Sequence, residues 1–378
     1  MGFSEAAGER AKALLDKVDG TAACLLAQSH GLGPLMARNL QQKLGRQFFG
    51  TQSTNEMLRL STRRNLVLTA ELFRALDVLE TNNVPAVAHK GPALATLLYG
   101  DPALRAYEDV DVLVPPSHAL RAIRVLDEAG WKRDDTFRPA EERAYLRYGY
   151  EFTLRSSTRI LVELQWAMAQ RFYAVDFDLE TMLYRAKTLT VSGRPIRILA
   201  PDDLLLALAV HAAKHMFERL SWLVDIAALI SAMSLNWEKV ARESRRYGIW
   251  RIVSVAINAA AAISGISVPA EALQGLGDPK VSAMSNLLLS NGLNAGALFP
   301  PRTTGYFAIF FRLRERLQDR LRMARRLVFK PGPSEWSMVR LPELLFPLYV
   351  PIRVFRLICR AARAILRFGN QREAEDGG

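Results

Sequence analysis

Two aspartates, Asp109 and Asp111, stand one residue apart in the apolar run 109–114, DVDVLV. Successive side chains of a strand point to opposite faces, so both carboxylates project from one face while Val110 and Val112 occupy the other. Two neighbouring carboxylates repel each other unless a cation lies between them, and Mg²⁺ commonly joins one or two carboxylates to substrate phosphates. The pair therefore predicts a magnesium–triphosphate site. The alternative is a solvated strand edge, which the apolar flanks argue against.

A glycine turn precedes this pair. The segment 84–89 is typical of a short buried strand, and Lys90-Gly91 follows it before a short helix over 93–99. Glycine permits a sharp turn and a close backbone approach to a ligand. The first turn of a helix offers free N–H groups to phosphate oxygens, and Lys90 would add a positive charge. Pro92 suits the first helical position but removes one of those N–H groups.

The spacing of these residues resembles that of a known family. The matching positions are Lys90, Gly91, Leu94, Tyr99, Gly100, Asp101, Pro102, Arg105 and 109–114, with weaker matches at 162–166, 199–203 and 211–225. This pattern is similar to that of an uncharacterised bacterial nucleotidyltransferase family of the polymerase-beta-like superfamily. The resemblance covers roughly residues 20–300.

The resemblance implies a fold and an activity. The fold would be α+β, with a small mixed-sheet nucleotidyltransferase core flanked by helical N-terminal, middle and C-terminal segments. The activity would be magnesium-dependent transfer of a nucleoside monophosphate from a nucleoside triphosphate to a hydroxyl acceptor. Two Mg²⁺ ions would align the reacting groups, as in other two-metal sites. The sequence identifies neither the acceptor nor the base of the triphosphate, and a catalytically inactive nucleotide-binding or scaffold protein of the same fold is the alternative.

The same resemblance implies that Glu163 is the third carboxylate, acting with Asp109 and Asp111 on the metal. Glu163 lies on a predicted strand over 159–166, which a turn at 156–158 joins to another strand over 151–155. The alternative is a solvent-facing strand residue. Gln165 stands where the family pattern has histidine, which leaves the role of that position open.

Four further residues are candidates for nucleotide binding. Arg105 would contact phosphate or pair with Glu108. His211, Lys214 and His215 lie on a predicted helix over 203–217, where His211 and His215 share one face. His211 and Lys214 would contact the nucleotide. The alternative is packing against Trp222 and Asp225, and a zinc site is disfavoured because no third ligand accompanies the histidines.

Hydrophobic periodicity divides the chain into four predicted segments: helical 1–80, the nucleotidyltransferase core 81–200, a helical domain 201–300, and a basic helical segment 301–378. The net charge is +12, of which residues 312–367 supply +10 through 14 basic and 4 acidic residues. This uneven distribution of charge argues against a uniformly basic nucleic-acid-binding protein. Contact of 312–367 with an anionic membrane is an alternative function for this segment.

The compartment is inferred from cysteine usage. Only Cys24 and Cys359 occur, which gives neither a disulfide framework nor a zinc ligand set. The N-terminus lacks the apolar stretch of a secretory signal. We therefore expect a cytoplasmic protein. The basic segment suggests an alternative, in which the protein contacts the inner face of the membrane peripherally.

Overall fold

The computed structural model describes residues 13–14, 17–44, 52–273, 276–294, 296–301 and 303–360. The N-terminal part is helical, as the periodicity predicts. It consists of α1 (Gly20–Ser29), α2 (Gly33–Leu44) and the long α3 (Gln52–Thr81). Asn83, which adopts a positive φ of 54°, ends the turn after α3 and directs the chain into the sheet.

The middle of the chain alternates strands and helices. In order these are β1 (Val87–Ala88), α4 (Gly91–Tyr99), β2 (Val110–Leu113), α5 (Ala119–Glu128), β3 (Lys132–Arg133), α6 (Pro139–Tyr148), β4 (Glu151–Arg155), β5 (Leu161–Gln165), α7 (Leu179–Tyr184), β6 (Lys187–Val191) and β7 (Arg194–Ile198). The predicted strand over 84–89 is longer than β1, since Pro85 has no N–H to donate to a neighbouring strand. The predicted strand over 109–114 is also trimmed, and Asp109 immediately precedes β2.

The seven strands form one mixed sheet in the order β3-β4-β5-β2-β1-β7-β6. The strand β2 is antiparallel to β1 and parallel to β5. The β4–β5 and β6–β7 pairs are antiparallel hairpins, and the first contains the turn predicted over 156–158. The mixed sheet with its surrounding helices confirms the predicted α+β class.

Both faces of the sheet are covered. On one face Val110, Val112 and Val162 pack in a hydrophobic cluster with the C-terminal half of α3 and with α5. On the other face Val87 and Leu113 belong to a second cluster that continues into the helices after residue 200. Asp111 lies on this second face, which explains why all four residues of β2 are buried, the carboxylate included.

The helical region that covers the second face contains α8 (Pro201–Lys214), α9 (Leu220–Ala232), α10 (Trp237–Arg246), α11 (Trp250–Ser264) and α12 (Pro279–Leu293). Pro201 occupies the first turn of α8, and Asp202 and Asp203 follow it, where carboxylates favour the positive end of the helix dipole. The uncharged stretch 252–264 is a buried helix packed against its neighbours. Within the described ranges, no helix combines the length and apolar character needed to cross a bilayer.

The C-terminal segment contains α13 (Thr304–Leu313), α14 (Leu317–Phe329), α15 (Pro333–Trp336) and a further helix over 349–360. Several of its arginines point into the protein and not to solvent. Arg314 is fully buried, with an Nη2 atom 3.5 Å from Asp319, and Arg326 pairs with Asp176 at 2.7 Å. The last two arginines of the basic range 312–367, Arg363 and Arg367, lie outside the described residues.

Candidate active site

The Lys90-Gly91 turn connects β1 to α4 beside the start of β2. Gly91 adopts a φ of +52°, a left-handed conformation that other residues rarely adopt, and a Cβ there would lie 3.6 Å from the Asp109 carbonyl oxygen. The His89 N–H donates to the Asp111 carbonyl oxygen at 3.2 Å, which holds the turn against β2. Helix α4 begins at this turn and carries Pro92 in its first turn. The turn therefore places the start of a helix next to the two aspartates.

Strand register brings the predicted third carboxylate next to the pair. Asp111 on β2 lies directly opposite Glu163 on the parallel strand β5. Glu163 is only partly buried, whereas Asp111 is 4% exposed. The three acidic residues predicted from the sequence thus lie at one end of the sheet, with Asp109 just before β2.

A fourth carboxylate joins this group. Glu151 on β4 is the antiparallel partner of Gln165 on β5, so its side chain shares the sheet face of Glu163. Sequence reasoning missed Glu151, although the predicted hairpin contains the necessary signal. Once 155 is paired with 161 across the turn, 151 must lie opposite 165.

Gln165 occupies the space between three of these carboxylates. Its amide Nε2 lies 2.9 Å from Asp111 Oδ1, 3.0 Å from Glu163 Oε2 and 3.3 Å from Glu151 Oε2. An amide nitrogen carries two hydrogens, so it donates to at most two of the three oxygens at once. The nitrogen takes the position that a small cation would take among these oxygens.

Lys90 completes the charge balance at Asp111. Its Nζ lies 3.0 Å from Asp111 Oδ1, and both side chains are almost fully buried. Burial acts to lower the pKa of Lys90, but the negative charges of Asp111 and Asp109 outweigh it and raise the pKa. Burial acts to raise the pKa of Asp111, and here the charges of Lys90 and His89 outweigh it and lower the pKa. The pair is therefore an ammonium–carboxylate ion pair at neutral pH.

The pKa values of the other carboxyl groups are raised, in contrast to that of Asp111. Burial, together with the charges of Asp111 and Glu151, raises the pKa of Glu163 to about 8. Burial and the charge of Asp111 raise the pKa of Asp109 as well. The cluster thus holds more carboxyl groups than its cations neutralise.

The donor set fits a hard divalent cation in its chemistry, because it offers carboxylate oxygens, and burial and mutual repulsion together raise the pKa values of Asp109 and Glu163. In the part of the chain that the structure describes, no three His, Cys, Asp or Glu side chains are arranged to hold a metal ion. The amide of Gln165 and the ammonium of Lys90 lie among the oxygens instead. The Nδ1 atom of His89, next to Lys90, is buried and has no hydrogen-bond partner among the described residues.

Helix α8 contributes a second buried lysine. Lys214 is 8% exposed, and its Nζ lies 5.3 Å from the centre of the Tyr150 ring. Its ammonium forms no ion pair with any carboxylate in the described ranges. Burial and the charge of Lys90 lower its pKa. Lys214 is therefore a desolvated cation without a carboxylate partner, close to the acidic cluster.

His211 of α8 and His215, the residue that follows α8, pack against Trp222, whereas Asp225 pairs with Arg105. The rings of His211 and His215 are 5.0 Å apart, and each lies about 5 Å from Trp222, at 4.9 and 5.1 Å. Burial and the nearby Lys214 lower the pKa of His215 to about 3, and burial also lowers the pKa of His211. Both rings are therefore neutral at physiological pH.

The structure corrects one prediction for Arg105. The guanidinium does not pair with Glu108; its Nε donates to Asp225 Oδ2 at 2.9 Å, and the Tyr99 hydroxyl donates to Asp225 Oδ1 at 2.7 Å. Glu108 is excluded because it lies at the protein surface, whereas Arg105 is buried. The Arg105 guanidinium is thus paired with Asp225 inside the protein, and its contact with a phosphate stays a prediction.

The chain thus combines a mixed sheet, a glycine turn that leads into a helix, and two aspartates of which Asp111 lies opposite Glu163. The family model of uncharacterised nucleotidyltransferases matches residues 16–265, and the chain belongs to that family. The family model thereby confirms the nucleotidyltransferase predicted from the sequence. No curated protein shows significant sequence similarity to the chain.

Solved structures of nucleotidyltransferases resemble the chain in part. The lincomycin-bound lincosamide antibiotic adenylyltransferase LnuA is 19% identical over 43% of this chain and 97% of its own, with a TM-score of 0.31. ANT(2″)-Ia in complex with adenylyl-2″-tobramycin is 14% identical over 47% and 95%, with a TM-score of 0.33. An antigenic nucleotidyltransferase-like protein from Paracoccidioides brasiliensis is 19% identical over 44% and 75%, with a TM-score of 0.28. The family assignment rests on the family model and not on these overlays.

Proposed function

We propose that this protein transfers a nucleoside monophosphate from a nucleoside triphosphate to a hydroxyl acceptor, with Mg²⁺ bound by Asp109, Asp111 and Glu163. The observation that carries the proposal is the register of β2 and β5, which sets Asp111 directly opposite Glu163. Two Mg²⁺ ions, when bound, would supply charge neutralisation and alignment of the phosphate oxygens. Gln165 must turn away from the carboxylates before they can bind a cation.

The chain's own cations would bind the triphosphate. Lys90 lies at the start of α4, whose free N–H groups favour phosphate oxygens. Lys214 is buried and forms no ion pair with a carboxylate among the described residues, so its ammonium could pair with an entering phosphate. We propose that His211, neutral and packed on Trp222, borders the nucleotide and does not bind metal.

The acceptor oxygen would attack the α-phosphorus, forming a new P–O bond while the bond to the β-phosphate bridging oxygen breaks and pyrophosphate leaves. The proton of the acceptor hydroxyl would pass to a Glu163 carboxylate oxygen.

The test is labelling from each α-labelled triphosphate with Mg²⁺ and cell extract. We expect wild-type protein to label an acceptor and Asp109→Asn to reduce the label at least about 100-fold. Glu128→Gln, an exposed carboxylate on α5, is the matched control and should label normally. Equal labelling by wild type and Asp109→Asn would refute catalysis, and binding of triphosphate without labelling would favour the non-catalytic alternative.

A second proposal concerns peripheral membrane contact. Large apolar side chains are exposed in the C-terminal segment, among them Leu344, Leu348 and Phe355. Exposed apolar groups of this kind partition into the headgroup region of a bilayer. We also propose a cytoplasmic location, because Cys24 and Cys359 are both free thiols.

A further inference from the structure

A groove of about 600 Å³ lies where α3 passes the turn between β4 and β5. One face of α3 forms its first wall, with Leu60, Arg63, Arg64, Val67 and Leu68 at helical spacing. This part of α3 extends past the sheet, so Leu60 and Val67 are exposed although they are apolar. The volume is in the range of small-molecule sites.

The groove begins at the residues that flank the acidic cluster. Its second wall includes Glu108, the neighbour of Asp109, and Leu161 on β5. Leu161 shares a sheet face with Glu163, about 7 Å further along the same strand. The parallel register that pairs Val110 with Val162 also brings Asp109 beside Leu161. The groove therefore reaches the strand position beside Asp109, at the border of the acidic cluster, although none of the four carboxylates lines it.

The groove carries excess positive charge. Arg155 is neutralised by Asp134, at 2.9 Å. In contrast, Arg63, Arg64 and Arg159 form no ion pair with any residue that the structure describes. Arg159 adopts a left-handed φ of 64°, which is unfavourable for a side chain with a Cβ. The lining thus combines the single carboxylate of Glu108 with three guanidinium groups that have no ion pair among the described residues, so its charge remains positive.

The lining distinguishes between kinds of anion. Single-stranded nucleic acid is normally bound by aromatic side chains that stack on its bases, and none of the described residues that line this groove is aromatic. Its floor is aliphatic, with Leu60, Val67 and Leu161. The chemistry therefore fits a small molecule with an aliphatic body and an anionic group.

We propose that this groove binds the acceptor substrate, and that the acceptor carries a phosphate or carboxylate group on an aliphatic body. The acceptor role rests on the proposed nucleotidyl transfer. The binding itself does not, because it requires neither triphosphate nor metal.

Binding is tested by titration calorimetry on the full chain with octyl phosphate, decanoate and the neutral octyl glucoside, without nucleotide. We expect one of the two anions to bind and the neutral analogue not to bind. The two anions distinguish a phosphate from a carboxylate acceptor. The double variant Arg64→Gln/Arg159→Gln should bind the anion about tenfold more weakly, since each lost guanidinium removes a charge-assisted contact.

The matched control is Arg121→Gln/Arg124→Gln, which removes two exposed arginines of α5 outside the groove. It should bind the anion as wild type does, and all variants should keep the wild-type melting temperature. Equal binding of octyl glucoside, absence of binding by both anions, or unchanged binding in Arg64→Gln/Arg159→Gln would overturn the proposal. So would an oligonucleotide that displaces the bound anion completely at a lower concentration.

The acceptor role is tested by labelling. Arg64→Gln/Arg159→Gln should label the acceptor at least tenfold less than wild type, with an unchanged dissociation constant for the triphosphate. Normal labelling in this variant would overturn the acceptor role. If Asp109→Asn labels as wild type does, the proposed catalysis fails instead, and intact anion binding would then support only a ligand site.

Discussion

Gln165 is the residue on which the state of the acidic cluster depends. Its amide nitrogen lies within 3.3 Å of oxygens from Asp111, Glu151 and Glu163. Such a nitrogen relieves repulsion between carboxylates without carrying a full charge. A divalent cation would relieve it more strongly, so the amide and the cation compete for the same oxygens.

We therefore expect Gln165→Ala to bind Mn²⁺ about tenfold more tightly than wild type, because the cation no longer displaces an amide worth roughly one hydrogen bond. Titration calorimetry at pH 8 measures this affinity. Asp109→Asn is the control and should weaken binding. Weaker Mn²⁺ binding in Gln165→Ala would show that the amide supports the metal site and does not compete with it.

Glu163 makes metal binding depend on pH. Its pKa of about 8 means that the free protein holds a proton there at pH 7, and a cation must displace that proton. We expect Mn²⁺ affinity to rise from pH 6 to pH 9, with close to one proton released at pH 7. Calorimetry in buffers of different ionisation enthalpy counts the proton. A wild-type release no larger than that of Glu163→Gln would contradict this assignment.

The same pKa affects stability with a defined sign. Because the folded pKa lies above the ordinary value of 4.5, the folded state binds more protons than the unfolded state between about pH 4.5 and 8. Glu163 therefore contributes a decline in the free energy of unfolding as pH rises through that window. In chemical denaturation, Glu163→Gln should show a smaller decline than wild type. An identical slope in both proteins would contradict the raised pKa.

The sequence predicts part of the site because strand periodicity is local. Asp109 and Asp111 follow from alternation along one strand. The partner of Arg105 does not follow from any local pattern, since Asp225 lies 120 residues away on another element. Glu151 is an intermediate case, because its place depends on a hairpin register that only the turn residues indicate.

At the scale of elements, the turn before α4 is the part of the site most sensitive to backbone change. Gly91→Ala should lower the free energy of unfolding by about 1 kcal/mol, the usual cost of a left-handed residue with a Cβ. It should also weaken triphosphate binding, because the changed backbone of the turn would move the start of α4. Fluorescence of a labelled triphosphate measures binding.

Gly100 supplies the control for this variant. It caps the other end of α4 with a φ of +74°, and a Cβ there would meet nothing within 4 Å. Gly100→Ala should therefore cost similar stability while leaving triphosphate affinity unchanged. Equal loss of affinity in both variants would mean that α4 stability, and not the turn, controls binding.

Element types were predictable where apolar periodicity is strong, as in α3 and α8. Strand lengths were less predictable. Strand β1, for example, lies inside the sheet but extends only over Val87–Ala88. Its short length reflects Pro85 on one side and the glycine turn on the other. The sheet order could not be predicted from periodicity, since it depends on which distant strands pair.

At the scale of the whole molecule, the net charge does not describe the surface. In the C-terminal segment Arg353 and Arg356 both turn inward to the buried Glu335. The outward positions of the last helix carry Phe355 and Ile358 beside the exposed Arg360, and Leu344 is 92% exposed. Contact with a membrane would therefore combine apolar insertion with the charge of the arginines that remain exposed.

We expect wild-type protein to float with anionic liposomes and Leu344→Glu/Phe355→Glu to float at least several-fold less, because buried apolar area is lost and negative charge is added. Tyr184→Glu, an equally exposed residue on α7, is the control and should float as wild type does. Flotation that is absent from wild type would reject the membrane proposal and direct the search to a protein partner.

The hydrophobic cluster on the second face of the sheet joins residues far apart in the chain. Val87 and Leu113 of the sheet belong to the same cluster as Leu205 of α8 and Phe310 of α13. The sheet and the helices that cover it should therefore unfold together. Calorimetry of the intact chain should show a single cooperative transition. A fragment cut after residue 200 would expose the apolar side of its own catalytic sheet, so the smallest piece of this enzyme that can be studied alone must retain the helices that cover it.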